Sequence, residues 1–211
     1  MQSRISLLFF ATSFLFACSG GPSSSGGGGG AGAGGSTSTS SGGGGTTAST
    51  GGSGGAATPI VINEISATGD EFVEIVNPTN DAISLADYAL ADTDPVTSAP
   101  KTAEAARFPQ GTMIAAGEHL LVLCGQAAAD GVGPHATCGV GGPASCYYAT
   151  WNVSAKDGEK VYLLSPADEI LVEAPYPQNA AAVGNSWGRF PDVTGAFTET
   201  VPTPGKANAT P

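Results

Sequence analysis

Pro59-Ile-Val-Ile-Asn-Glu-Ile65 and Glu71-Phe-Val-Glu-Ile-Val76, with Gly69-Asp70 between them, decide the fold class of this chain. Both runs are short and rich in β-branched residues, and a turn-forming pair separates them, which predicts paired strands. Strict alternation along the first run puts Ile62 and Glu64 on one side and Val61, Asn63 and Ile65 on the other. Glu64, Glu74 and Asn77 are then expected at strand ends or sheet rims, bonded to loop backbone. Similar runs follow at Ile83 to Ala91, Met113-Ile114, His119 to Leu123, Tyr147 to Trp151, Val161 to Leu164 and Ile170 to Glu173. Lys156-Asp157-Gly158-Glu159 carries the Asp-Gly signature of a type I′ hairpin turn. No segment keeps a 3.6-residue apolar period for three turns, and Ala103 to Ala106 supplies at most one helical turn. Many short strands without alternating helices predict an all-β protein, a β-sandwich, and argue against a doubly wound nucleotide-binding fold.

The same stretches resemble the opening of a lamin tail domain: Ile62-Asn-Glu-Ile65, Asp70-Glu-Phe-Val-Glu-Ile-Val-Asn77 and Leu85-Ala-Asp-Tyr88-Ala-Leu90. Later pieces follow in order. They are Arg107-Phe-Pro109 with Gly111, Ala116 to Leu123, Gly158 to Leu163, Ser186 to Asp192, and Pro202-Thr-Pro-Gly205-Lys-Ala-Asn208. The resemblance spans Pro59 to Asn208. It implies an immunoglobulin-like β-sandwich that serves as a binding or structural module, with no catalytic residues to carry over. The chain departs from the usual pattern between Cys124 and Cys146, a long Gly/Pro-rich loop.

Outward from this domain the composition changes abruptly. Ser19 to Ala57 holds 18 Gly, 10 Ser, 5 Thr, 5 Ala and one Pro, and no charge. Such a tract cannot bury enough apolar surface to offset its ordering entropy, so residues 18–57 are expected to be a disordered linker with an r.m.s. reach of roughly 35 Å. Its G-x-G-x-x-G matches lack a preceding strand and a following helix, and so form no phosphate cradle. Before it, Arg4 and the apolar stretch Ile5 to Ala17 have signal-peptide geometry and are too short to span a bilayer. Leu15-Phe-Ala-Cys18 resembles the lipobox of bacterial lipoproteins. The resemblance implies cleavage after residue 17, lipidation of Cys18 and, with Ser19 following, an outer-membrane address facing the periplasm or the cell surface. Several acyl chains anchor stably where one is marginal. The expected organisation is therefore a signal peptide over 1–17, lipidated Cys18 and linker over 18–57, and the sandwich over 58–211.

Those last 154 residues carry all 18 acidic side chains and six of the seven basic ones, a net charge of −12. A surface of that sign repels phosphate backbones, so no nucleic-acid partner is expected.

With Cys18 lipidated, Cys124, Cys138 and Cys146 remain. An oxidising compartment suggests one disulfide and one leftover thiol. The flexible spacer favours Cys138–Cys146, while Cys124 at the end of an apolar strand offers Cys146 an alternative partner. Cys124, His135, Cys138 and Cys146 are four nominal zinc ligands, but their spacing fits no common zinc pattern. Asp87, Asp92 and Asp94 offer oxygens for Ca²⁺ without the twelve-residue loop of an EF-hand; no other cofactor is expected. His119 in an apolar strand reads as structural, and His135 has no nucleophile in its sequence context. No G-x-S-x-G, H-E-x-x-H or Walker loop is present. Carboxylate pairs such as Asp70/Glu71 and Asp168/Glu169 read as solvated faces, and Tyr88, Trp151, Trp187 and Phe190 as core or core-edge packing.

The expected function is a membrane-tethered, non-catalytic binding or scaffolding module with a protein or an envelope polymer as partner. A hydrolase with an unrecognised site on the sandwich, and less so a nucleic-acid adaptor, are the alternatives. An enzyme predicts a concave cluster of perturbed carboxylates or histidines; a binding module predicts a satisfied core.

Overall fold

The computed structural model describes residues 58–126, 131–136, 138 and 145–211. The signal peptide, Cys18 and the linker expected from the sequence lie outside the described residues. Apart from one 3₁₀ turn at Thr102–Glu104, the regular structure among the described residues is entirely strands. They are β1 (Val61–Ser66), β2 (Phe72–Val76), β3 (Ile83–Ser84), β4 (Ala89–Ala91), β5 (Ala106–Arg107) and β6 (Met113–Ile114). Next come β7 (His119–Leu123), β8 (Tyr147–Tyr148), β9 (Glu159–Leu164), β10 (Ile170–Tyr176), β11 (Ser186–Phe190) and β12 (Ala196–Thr200).

One sheet has six strands in the order β12-β11-β1-β2-β7-β8; the other has four, β10-β9-β4-β5; β3 and β6 form a small third pair. Every pairing is antiparallel except β7 with β8. The main core fills the space between the two large sheets. Ile62, Ile65, Val73, Ile75 and Val122 come from one, and Leu90, Val161, Leu163, Ala174 and Tyr176 from the other. This is the immunoglobulin-like β-sandwich class.

Strict alternation fails at the decisive strand. Ile62 pairs with Ile75 but Glu64 pairs with Glu74, so the register shifts between Ile62 and Glu64. This β-bulge inserts Asn63 as an extra residue. Ile62 and Ile65 therefore both enter the core, while Glu64 turns to the outer face beside Glu74. The sequence pattern placed Ile62 and Ile65 on opposite sides. Burying both isoleucines is what a period of two cannot do and a bulge can.

Two further expectations change. The run Ile83 to Ala91 divides into β3 and β4, which belong to different sheets. Between them Tyr88 N donates to Leu85 O at 3.0 Å, and Asp87 adopts a positive φ of 63°. Asp tolerates that left-handed conformation better than most residues, so a tight turn interrupts the strand. Lys156-Asp157-Gly158-Glu159 does turn, with Gly158 at φ 74° and its N–H bonded to Ser154 O. It leads the chain into β9, whose partners are β4 and β10, so it closes no hairpin with the strand before it. The β9–β10 hairpin is closed instead through Ser165, which exchanges backbone bonds with Asp168 and Glu169. Tyr147 to Trp151 yields only the two-residue β8, after which Ala149 N bonds Leu123 O and the chain leaves the sheet edge.

Candidate functional site

The bulge lays a polar stripe across the outer face of the six-stranded sheet, where solvent would otherwise sit. Asn63 and Glu64 of β1, Glu74 of β2 and Ser186 of β11 are all fully buried, at 0 % exposure. What covers them is the C-terminal strap, closed on itself by the bridge between Val201 and Ala209.

Each carboxylate is met by donors. Glu64 receives the Ser186 hydroxyl, the Thr203 backbone N–H at 3.2 Å and the Thr203 hydroxyl at 3.0 Å. Glu74 receives Asn63 Nδ2 at 3.1 Å and His119 Nδ1 at 2.8 Å on one oxygen, and Gly205 N–H at 2.7 Å on the other. Asp192, in the turn after β11, accepts from Asn63 Nδ2 at 3.0 Å and from Asn208 N–H at 2.9 Å. Asn208 then donates its amide to Asn63 O and Arg189 O, at 3.1 and 3.0 Å. Strap and strands thus share one network.

Its electrostatics follow from burial. Desolvation pushes the Glu64 carboxyl up to about 7, the bonds from Ser186 and Thr203 oppose that rise, and the charge on Glu74 adds to it. The hydrogen bond to Glu74 raises the His119 imidazolium above the usual histidine value, against the opposing effect of burial. The sequence expectation for Glu64 and Glu74, bonding to loop backbone, describes their role; their place is the middle of a covered face and not a rim. Asn77 serves a separate loop, donating to Asp81 O, Ile114 O and Ala115 O. His119 is a strand histidine held by a carboxylate.

The other half of the same outer face has an apolar cover. Phe72, Leu121, Leu123 and Cys146 are buried together, with Cys138 and Tyr148 against them. Cys138 and Cys146 are joined in a disulfide, with Cα atoms 5.8 Å apart. Cys124 is a free, buried thiol that packs with the main core, on the opposite side of the sheet from that disulfide. The alternative Cys124–Cys146 pairing would have to cross the sheet. Burial pushes the Cys124 thiol well above its ordinary value. The four nominal zinc ligands do not converge, since two are oxidised together, Cys124 faces inward, and His135 stacks on Tyr148 at 4.1 Å with Nε2 bonded to Gly131 O.

Asp87, Asp92 and Asp94 do not form the cation cluster expected of them. The Asp87 carboxylate accepts from Gln110, and Asp94 caps its own turn through Val96 and Thr97 N–H. Asp92 is buried with Oδ1 unbonded, and burial raises its carboxyl. The three carboxylates thus have separate surroundings, Asp87 in the turn between β3 and β4 and Asp94 in a turn of its own. Among the described residues no three His, Cys, Asp or Glu side chains are grouped to hold a metal ion.

A cleft of about 420 Å³ opens at the β1–β2 turn, lined by Asp70, Glu71, Gln126, Tyr148 and Asn152 among others. Glu71 there accepts from Asn152 Nδ2 and Val153 N–H. Of the aromatic residues, Trp151 is core and Tyr88 packs partly buried against it. Trp187 is half-buried, with its indole bonded to Pro175 O. Phe190 is 45 % exposed, contrary to the packing expectation, because it lies on the outer side of β11 beyond the strap's cover.

A family model described as Lamin Tail Domain matches residues 54–177. No curated protein matches the chain. The match takes in Asn63, Glu64, Glu74 and His119, whereas Ser186, Asp192 and the strap lie after it.

The strap's fit against β11 generates a stability prediction. A Cβ on Gly188 would lie 2.8 Å from both Asn208 Nδ2 and Thr200 Oγ1. Asn208 is pinned by its bonds, so Gly188→Ala is expected to cost about 1–3 kcal/mol. In a thermal melt that is a fall of roughly 3–10 °C. In a Cys18→Ser background, Cys124 is expected to resist a thiol reagent in the native protein and to react once the chain is denatured. Labelling of the native protein at the denatured rate would contradict its burial.

Proposed function

We propose that this chain, which belongs to the lamin tail domain family, is a non-catalytic binding or scaffolding module tethered to the bacterial envelope through a lipid on Cys18. The family is an immunoglobulin-like domain not known for catalysis. One observation carries the reading: the most perturbed buried carboxylate, Glu64, together with its neighbours Glu74 and His119, is committed to internal donors and to the strap. A catalytic carboxylate needs an oxygen facing a substrate, and both oxygens of Glu64 and of Glu74 accept from internal donors beneath the strap.

The tether rests on the order of features before the domain. A charged start, an apolar stretch, Leu15-Phe-Ala-Cys18 and an uncharged Gly/Ser tract follow one another as in lipoproteins. No helix among the described residues is long and apolar enough to cross a membrane. The tract then acts as a spacer that lets the sandwich reach its partner, a protein or an envelope polymer, away from the lipid surface. The strongly acidic domain disfavours nucleic acid and polyanionic partners alike. An outer-membrane location, facing the periplasm or the cell surface, completes the proposal.

Cys18→Ser is expected to move the protein from the washed membrane fraction to the soluble one while leaving the domain's melting temperature unchanged. Continued pelleting of that variant would sink the lipid anchor. Protease treatment of intact cells, followed by a blot for the domain, decides which side it faces. Loss of signal marks surface exposure, and loss only after the outer membrane is opened marks the periplasm.

A further inference from the structure

Glu64 and Glu74 are cross-strand partners on the same face of β1 and β2, both fully buried beneath one segment of chain. Two carboxylates in such contact ionise together only at a large cost, whatever their separate affinities for a proton. The charged groups around them are few. His119 of β7 touches Glu74 through Nδ1, and its Nε2 stands 3.9 Å from Asp192, which follows β11. On the strap, Lys206 is exposed and makes no ion pair among the described residues. The nearest guanidinium, Arg189, points to the other side of β11, bonded to Ile62 O and Gly195 O over the Phe197 ring. Among the described residues no fixed cation balances the network; a histidine does so only while protonated.

We propose that the strap from Val201 to Ala209 is a pH-operated latch, seated on the six-stranded sheet while Glu64 is neutral and His119 charged, and loosened as both give up their protons. In the seated state at mildly acidic pH, Glu64 is uncharged and the His119 cation offsets Glu74, leaving Asp192 as the one unbalanced charge. In the alkaline state Glu64, Glu74 and Asp192 are all anionic and His119 is neutral. Two like charges then share one covered stripe, with a third on the partly exposed Asp192 beside them, and releasing the strap rehydrates the buried pair.

Both groups act in the same sense. Glu64 in the closed network holds its proton up to about pH 7, against 4.5 for a free glutamate. Its contribution is complete below the lower value and is lost as pH rises through the upper one. His119 is likewise raised, so its contribution is complete below the ordinary histidine value of 6.5 and is lost as pH rises through its raised value. The Glu64 displacement alone links to a change in latch equilibrium of roughly two to three orders of magnitude across the full range.

Amide hydrogen exchange on the intact chain tests this, with protection factors corrected for the intrinsic pH dependence of exchange. Between about pH 5.5 and about pH 8.5, protection at Thr203, Gly205 and Asn208 is expected to fall by roughly ten- to a hundredfold. Over the same range, protection at Val73, Ile75 and Val122 should hold. Glu64→Gln removes the charge while keeping an amide oxygen as acceptor for Thr203, and should remove most of the fall. Constant strap protection in the unmodified chain would overturn the latch. So would a parallel loss in β2 and β7, which signals global unfolding, or an undiminished fall in a folded Glu64→Gln variant. Should that variant fail to fold, the contrast between strap and core amides in the unmodified chain decides alone.

Discussion

Two carboxylates side by side under a strap, Glu64 and Glu74, set the terms for the rest of this structure. Burying a carboxylate is tolerated only when hydrogen bonds replace its water, and an unpaired one costs several kcal/mol. Here the donors come from far along the chain: Ser186 on β11, and Thr203 and Gly205 on the strap. The N-terminal hairpin is therefore incomplete without the last residues, and the last residues have no seat without the hairpin. Asn63 and Asn208 cross-link the two parts through backbone and side chain, which makes the edge strands part of the same cooperative unit.

The two faces of the large sheet use different physics. The inner face is held by apolar burial against the smaller sheet, a non-directional force that tolerates some repacking. The outer face is held in one half by the polar network and in the other by Phe72, Leu121 and Leu123 under the disulfide. Directional bonds to buried carboxylates admit few alternative arrangements, so the strap is the most exactingly specified part of the fold. This division also explains why a domain with strongly perturbed ionisable groups reads as a binding module. Perturbation marks a functional candidate only when the group has somewhere to act; at Glu64 it reports structural closure.

Much of the sandwich is legible in the sequence. The β-branched runs at Val61 to Ile65 and Glu71 to Val76 became the central hairpin, because each half-buries a pleated surface and a Gly-containing turn joins them. The misplacements share a cause. The bulge at Asn63, the break at Asp87 and the turn at Gly158 each depend on which distant strand lies alongside. Alternation describes one strand in isolation, and register is set by its partner. The site was half legible. Glu64, Glu74 and Asn77 stand out as polar residues within apolar runs, and their bonding to loop backbone followed from that. Nothing local joins Glu64 to Thr203, which lies 139 residues away.

Sequence alone determined the all-β class, the acidic character of the domain and its separation from a Gly/Ser tract, since propensity, charge and composition are properties of short stretches. The tertiary structure alone decided that Ile62 and Ile65 share the core, that Asp87, Asp92 and Asp94 part company, and that Cys124 stands across the sheet from the disulfide. It also turned a polar pair on adjacent strands into a buried hydrogen-bond network closed by the strap. The physical reason is that burial and hydrogen-bond partners arise between segments distant in sequence, where the desolvation of one residue is imposed by another that no local pattern connects to it.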